Sequence, residues 1–149
     1  MMELSKEKIM VVEDWLKRAE SDYKIALLLG SDEEGDFFEN ACFHCQQAVE
    51  KFLKALIISR GGRFKKVHDL NELSEDLGGL SVPINIVLSN EDRDILNPYY
   101  IGGRYPGDRQ PTYEDAQEAV KIVEKVKRFV EREAGLKGIK FDGSWWESV

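Results

Sequence analysis

Apolar positions recur at helical spacing along most of this chain. Ile9, Val12, Leu16, Ala19, Tyr23 and Ala26 alternate by three and four, with Trp15 and Leu27 widening the seam. This predicts a first helix that begins at Ser5, a capping residue type, and ends at Gly30. A second stripe runs through Phe38, Ala41, Cys42, Cys45, Ala48, Val49, Phe52, Leu53 and Leu56. It predicts a helix from about Asp36 to Arg60, about 35 Å long at 1.5 Å per residue. His44, Gln47, Lys51 and Lys54 fall on another face of it, and Gly61-Gly62 supplies the stop. The acidic turn Ser31–Gly35 is short, so the two helices run antiparallel.

Asp69, or His68 before it, opens a third helix with Glu72 placed for a capping box. Leu70, Leu73 and Leu77 are its buried positions, and Gly78-Gly79 closes it. Ser89 and Asp92 frame a shorter helix to Leu96, with Ile95 and Leu96 turned inward. The segment Asn97–Thr112 reads NPYYIGGRYPGDRQPT and is predicted as a loop, because its prolines and glycines do not suit a helix interior. A loop this long is uncommon in a compact domain unless it has a function. Thr112 then caps a final helix to about Ala134, striped by Tyr113, Ala116, Ala119, Val120, Val123, Val126 and Val130, with Phe129 alongside. No strand pattern or repeat is visible. The expected fold is all-α: an up-and-down antiparallel helical bundle of four main helices plus one short helix, over residues 1–135. Residues 136–149 form a tail with Phe141, Trp145 and Trp146, aromatic enough that it is expected to dock on the bundle or on a partner.

Composition narrows the class. A chain of 149 residues that is 42% hydrophobic and 33% charged suits one globular domain. No apolar run is long enough to cross a bilayer, and the N-terminus MMELSKEKIMVVEDW has no signal-peptide core, so a cytoplasmic protein is expected. The net charge of −7 argues against broad DNA binding or sequence-blind nucleic-acid binding. It leaves room for a local basic site, because the charges are unevenly spread.

Two groups of residues carry candidate chemistry. His68 could move a proton to or from a ribose hydroxyl, with Arg63 steadying the phosphate. Equally, His68 could cap the third helix and pack its ring. Arg104 and Arg109, with Arg63, Lys65 and Lys66, could form an anion pocket in which Tyr105 stacks a base. Alternatively, Arg104 pairs with an acid and Tyr105 pins the loop. Lys51 and Lys54 are further candidates to face the ligand. Glu50 and Lys54 also stand in the order that stabilises a helix surface. Gln47 either faces the ligand too or bonds a neighbouring helix, the reading favoured here. Cys42, His44, Cys45 and His68 suggest zinc. But the cysteines lie on the apolar seam and His44 about 100° from Cys45, so buried reduced thiols are the expectation and no metal is assigned. No cofactor motif is visible either.

From Asn40 to Leu70 the chain resembles the HEPN family, a nucleotide-binding domain of higher eukaryotes and prokaryotes. The residues that carry the resemblance are Ala41, Phe43, Gln46-Gln47-Ala48, Glu50-Lys51, Lys54-Ala55-Leu56 and His68-Asp69-Leu70. Trp15, Ala19, Asp22 and Ala26 fit the family's first helix, Tyr100 with Arg104-Tyr105-Pro106 its late loop, and Ala116 and Ala119 its last helix. The resemblance spans residues 10–130. It implies a helical bundle, homodimers, a nucleotide or RNA ligand, and a minimal nucleotidyltransferase partner, as in toxin–antitoxin modules. Some branches are metal-independent ribonucleases with an Arg four to six residues before a His, a spacing that Arg63 and His68 satisfy. In those branches a polar residue follows the Arg and the pair lies in a helical context. Here Phe64 follows Arg63, and the pair lies in a loop after Gly-Gly. A third possibility is an interaction module whose aromatic tail and apolar edge bind protein alone.

Overall fold

The computed structural model describes residues 4–100 and 107–135. Five α-helices make up the fold: α1 Lys6–Gly30, α2 Phe38–Ser59, α3 Leu70–Gly79, α4 Asn90–Leu96 and α5 Tyr113–Gly135. No strand occurs among the described residues. The tail from residue 136 and the stretch 101–106 lie outside the described residues.

Helix α2 is the centre, packed along α1 and α5. It is buried nearly all round from Phe52 to Ile57, as expected of a helix that is apolar on more than one face. Tyr23 Oη donates to Glu124 across the α1–α5 contact at 2.7 Å, and Arg60 pairs with Glu133 where α2 and α5 end together. Phe38 meets Tyr113 where those two helices begin. So α1 runs antiparallel to both, while α2 and α5 run parallel to each other. The excursion through α3 and α4 brings the chain back to the end where α2 started.

The ends of the helices are set locally, mostly as the sequence predicts. Ser5 accepts the Lys8 N–H at 3.2 Å. Ser89 and Asp92 exchange hydrogen bonds in a capping box, and so do Thr112 and Asp115. At α3, however, Asp69 accepts the Asn71 N–H rather than that of Glu72. Helix α3 ends at Gly79, as Gly78-Gly79 suggests, but neither glycine takes the left-handed conformation. The left-handed residue lies just beyond the helix, at Ser81 with φ 64°, and the Val82 N–H reaches back to Leu77 O. Asn97–Tyr100 departs from the predicted loop as well: it is a turn of 3-10 helix running on from α4, with Pro98 inside its first turn, where a missing N–H costs nothing.

The stop after α2 sets the path of the next segment. Gly61 adopts φ 78°, its N–H bonds Ile58 O, and the Gly62 N–H bonds Ile57 O. A Cβ at Gly62 would lie 2.5 Å from Leu80 and 3.0 Å from Ile57. The first glycine is therefore required by conformation and the second by close approach. Together they turn the chain so that Arg63–His68 runs back alongside α2.

Candidate functional site

The returning segment is fastened at two points. Phe64 meets the Trp15 ring edge-on at 5.9 Å, which ties the loop to α1. This is where Phe64, the departure from the ribonuclease pattern, finds its structural reason. Further on, His68 lies against the middle of α2. The Gln46 amide donates to the His68 carbonyl at 3.0 Å, and His68 Nδ1 stands 2.9 Å from Glu50 Oε1. Glu50 is 4% exposed and its other oxygen takes the Lys54 ammonium at 3.1 Å. An ionised carboxylate only accepts, so the shared proton sits on Nδ1 and leaves Nε2 as the outward nitrogen of the imidazole. The His68 side chain is 58% exposed, and its ring stacks on Tyr100 at 5.4 Å and 12°.

His68 and Tyr100 line a cleft of about 360 Å³ together with Val67, Asp69, Glu72 and Asn97. Asn97 helps to build its floor by accepting the Leu70 N–H at 2.9 Å and donating to Asp69 at 3.2 Å. A neighbouring cleft of about 460 Å³ shares Val67 and Glu72 with the first and adds Arg63, Phe64, Lys65, Glu75 and Asp76. Arg63, Lys65 and Lys66 are exposed and form no ion pair with any described residue. Arg63 and His68 thus border adjoining clefts rather than one.

The remaining candidates are placed elsewhere. Lys54 is turned into the core. It is buried, bonded to Glu50, and set over the rings of Trp15 and Phe64 at 5.5 and 5.2 Å. Lys51 points to α1, where Asp22 takes its ammonium at 2.6 Å and the His44 Nδ1 at 2.8 Å. Arg109 grips both oxygens of Asp115 at 2.7 and 3.3 Å, at the start of α5. That end of α5 lies beside Phe38, where α2 begins, so Arg109 reinforces a helix cap and does not join Arg63. Arg104 and Tyr105 lie outside the described residues. The Gln47 amide donates to Gln46 Oε1 at 2.7 Å, its neighbour on α2. Cys42 and Cys45 are buried free thiols. Burial pushes the Cys45 thiol well above its ordinary range.

Three residues of the site are absent from the sequence-based candidates: Gln46, Glu50 and Tyr100. Gln46, Glu50 and Lys54 form a polar row four residues apart on a helix that is otherwise apolar there, and that interruption is a readable signal of buried polar work. Tyr100 carries no local signal, since its partner lies far back in the chain.

The chain has relatives. The chain is similar to the "Putative toxin MJ1304" of Methanocaldococcus jannaschii, 28% identical over 147 residues, which span 84% of this chain and 91% of that protein. The crystal structure of TT1696 from Thermus thermophilus matches the fold with a TM-score of 0.66 at 32% identity, covering 82% of this chain and 97% of its own. The family described as "HEPN domain" matches residues 12–133, from the first buried residue of α1 to the last turn of α5. With most of its length matched, and with the helices in the order just described, the chain belongs to the HEPN family.

Proposed function

We propose that this HEPN domain binds a nucleotide or an RNA strand at the His68 clefts. In this reading it works as a homodimer with a minimal nucleotidyltransferase partner, in a toxin-type module. The observation that carries the proposal is His68 itself: a half-exposed imidazole held by a buried carboxylate and stacked on Tyr100 at the mouth of a cleft. Next to it stand three cations without an ion-pair partner among the described residues, Arg63, Lys65 and Lys66. An exposed ring and adjacent uncommitted cations are what a nucleotide's base and phosphates call for. The similarity to a protein named as a toxin supports the module, and the family resemblance supports the partner.

Fluorescence anisotropy of a labelled single-stranded oligoribonucleotide, with ATP as competitor, tests the ligand. Binding that weakens in His68→Ala, and in the double variant Lys65→Ala/Lys66→Ala, is expected. No binding of either ligand at millimolar concentration overturns the reading. Co-expression with the product of an adjacent nucleotidyltransferase gene tests the partner, and the two proteins should purify together.

The bond between Glu50 and His68 favours a second reading, metal-independent ribonuclease activity. With Nδ1 facing the carboxylate, Nε2 can accept the proton of a ribose 2′-hydroxyl. The 2′-oxygen then bonds the adjacent phosphorus, the bond to the 5′-oxygen breaks, and a proton returns to that oxygen. Arg63 would offset the charge on the phosphate oxygens. Cleavage in excess chelator that disappears in His68→Ala supports this reading, and cleavage unchanged in that variant removes it.

A further inference from the structure

The two clefts differ in the cations that line them, and the difference divides a nucleotide between them. The His68 cleft is faced by an aromatic pair, the apolar Val67, and two carboxylates, Asp69 and Glu72. Among the described residues no lysine or arginine lines it. A phosphate there would meet like charge with no cation among the lining residues to offset it, whereas the adjoining cleft sets Arg63 and Lys65 among its three carboxylates, Glu72, Glu75 and Asp76. What suits the His68 cleft is a flat ring with hydrogen-bond donors on its edge.

The two carboxylates are not equivalent. Asp69 already accepts the Asn71 N–H at 2.8 Å and the Asn97 amide at 3.2 Å, both on one oxygen, and its position is fixed as the cap of α3. Glu72 is exposed and makes no hydrogen bond or ion pair with any described residue. It also borders both clefts, at the junction where a base would leave one and its phosphate enter the other.

We infer that the His68–Tyr100 cleft is a nucleobase subsite selective for guanine, with the base stacked on Tyr100 and its Watson–Crick edge read by Glu72. This rests on the RNA- or nucleotide-binding reading above. The chemistry of the edge makes the selection. Guanine alone offers two adjacent donors, N1–H and the N2 amine, spaced to meet both oxygens of one carboxylate. Adenine and cytosine place a ring acceptor beside their single amino group, and uracil flanks its one N–H with two carbonyls. Each of these would turn an acceptor toward Glu72 and be penalised.

Anisotropy with the pentaribonucleotides UUGUU, UUIUU, UUAUU and UUUUU tests this, where I is inosine, which keeps N1–H and lacks the N2 amine. UUGUU is expected to bind about tenfold more tightly than UUAUU or UUUUU, with UUIUU in between. In Glu72→Gln the guanine preference should fall to near parity while UUUUU binds as before or better. Glu75 borders only the Arg63–Lys65 cleft, so Glu75→Gln should keep the preference, which controls for a general change in charge. Tyr100→Leu should weaken all four oligonucleotides, and Tyr100→Phe should not. RNA that binds without preference among the four, or a guanine preference that survives Glu72→Gln, overturns the guanine subsite and leaves the RNA-binding reading standing. Failure of all four to bind overturns both.

Discussion

The chain has two histidines, and each sits in the same small circuit. Asp22 takes His44 Nδ1 at 2.8 Å on one oxygen and Lys51 at 2.6 Å on the other. Glu50 takes His68 Nδ1 at 2.9 Å on one oxygen and Lys54 at 3.1 Å on the other. Yet the circuits do different things. In the first, all three groups are on regular helices, and the side chains of His44 and Lys51 are each 24% exposed. It clasps α1 to α2 and borders neither of the clefts described here. In the second, the histidine is on a loop, is more than half exposed, and faces a cavity beside cations that no described residue pairs. The charge pattern therefore does not single out a candidate site; the backbone under the histidine and the space in front of it do.

The largest expected effect separates the two carboxylates. Glu50→Ala leaves Lys54 buried without a counter-charge and should cost about 3–5 kcal/mol, read as a loss of denaturant midpoint or a lower Tm. The companion double variant Glu50→Leu/Lys54→Met removes both charges together and should recover most of that loss, because an apolar pair can replace a buried ion pair. RNA binding should not recover with it, because His68 stays without its carboxylate. Recovery of both would mean that Glu50 serves only the core.

Asp22→Ala is the parallel experiment and should cost less, about 2–3 kcal/mol, because Lys51 and His44 each reach water. At a temperature where the variant is still folded, its affinity for the oligoribonucleotide should match that of the parent. A large loss of affinity would break the distinction drawn between the circuits.

Distance along the chain decides how much of this is readable in the sequence. The helices, the caps at Ser5, Asp69, Ser89 and Thr112, and the left-handed stop at Gly61 rest on interactions within six residues, and periodicity or residue type reveals them. Lys54 is misleading because Glu50 and Lys54, four apart, look like a surface pair. The correcting signal is present in Phe52, Leu53, Ala55, Leu56 and Ile57, which leave that turn no face in water. The His68–Tyr100 stack and the Phe64–Trp15 contact join residues distant in sequence and depend on the path of the chain. Arg109 is a third case. Asp115 is both the carboxylate of a cap and the arginine's partner, so a cation that looks available for an anion is neutralised six residues on.

Phe64 offers a middle-sized test of what holds the second circuit's loop. Removing its ring in Phe64→Ala takes away the contact with Trp15 and one face of the Lys54 site. The ring is only partly buried, so about 1–2 kcal/mol is expected, below the range for a fully buried phenylalanine. Amide hydrogen exchange should rise over residues 63–68 and not over the α1–α2 contact at Asp22. Protection lost equally in both places would show that the loop is not a separate unit.

The smallest effect on stability belongs to the histidines themselves, and there the comparison is sharpest. His68→Gln should change stability by no more than about 0.5 kcal/mol, since most of the side chain faces water and a glutamine can still donate to Glu50. His44→Gln should likewise be mild, because Lys51 still holds Asp22. The two should part on function. His68→Gln removes the ring that stacks on Tyr100 and the outward nitrogen, so RNA affinity should fall and any chelator-resistant cleavage should vanish. His44→Gln leaves the clefts as they were and should leave both properties intact. If the two variants behave alike toward RNA, position in front of a cleft is not what distinguishes His68, and its bond to Glu50 is a second helix clasp like the first.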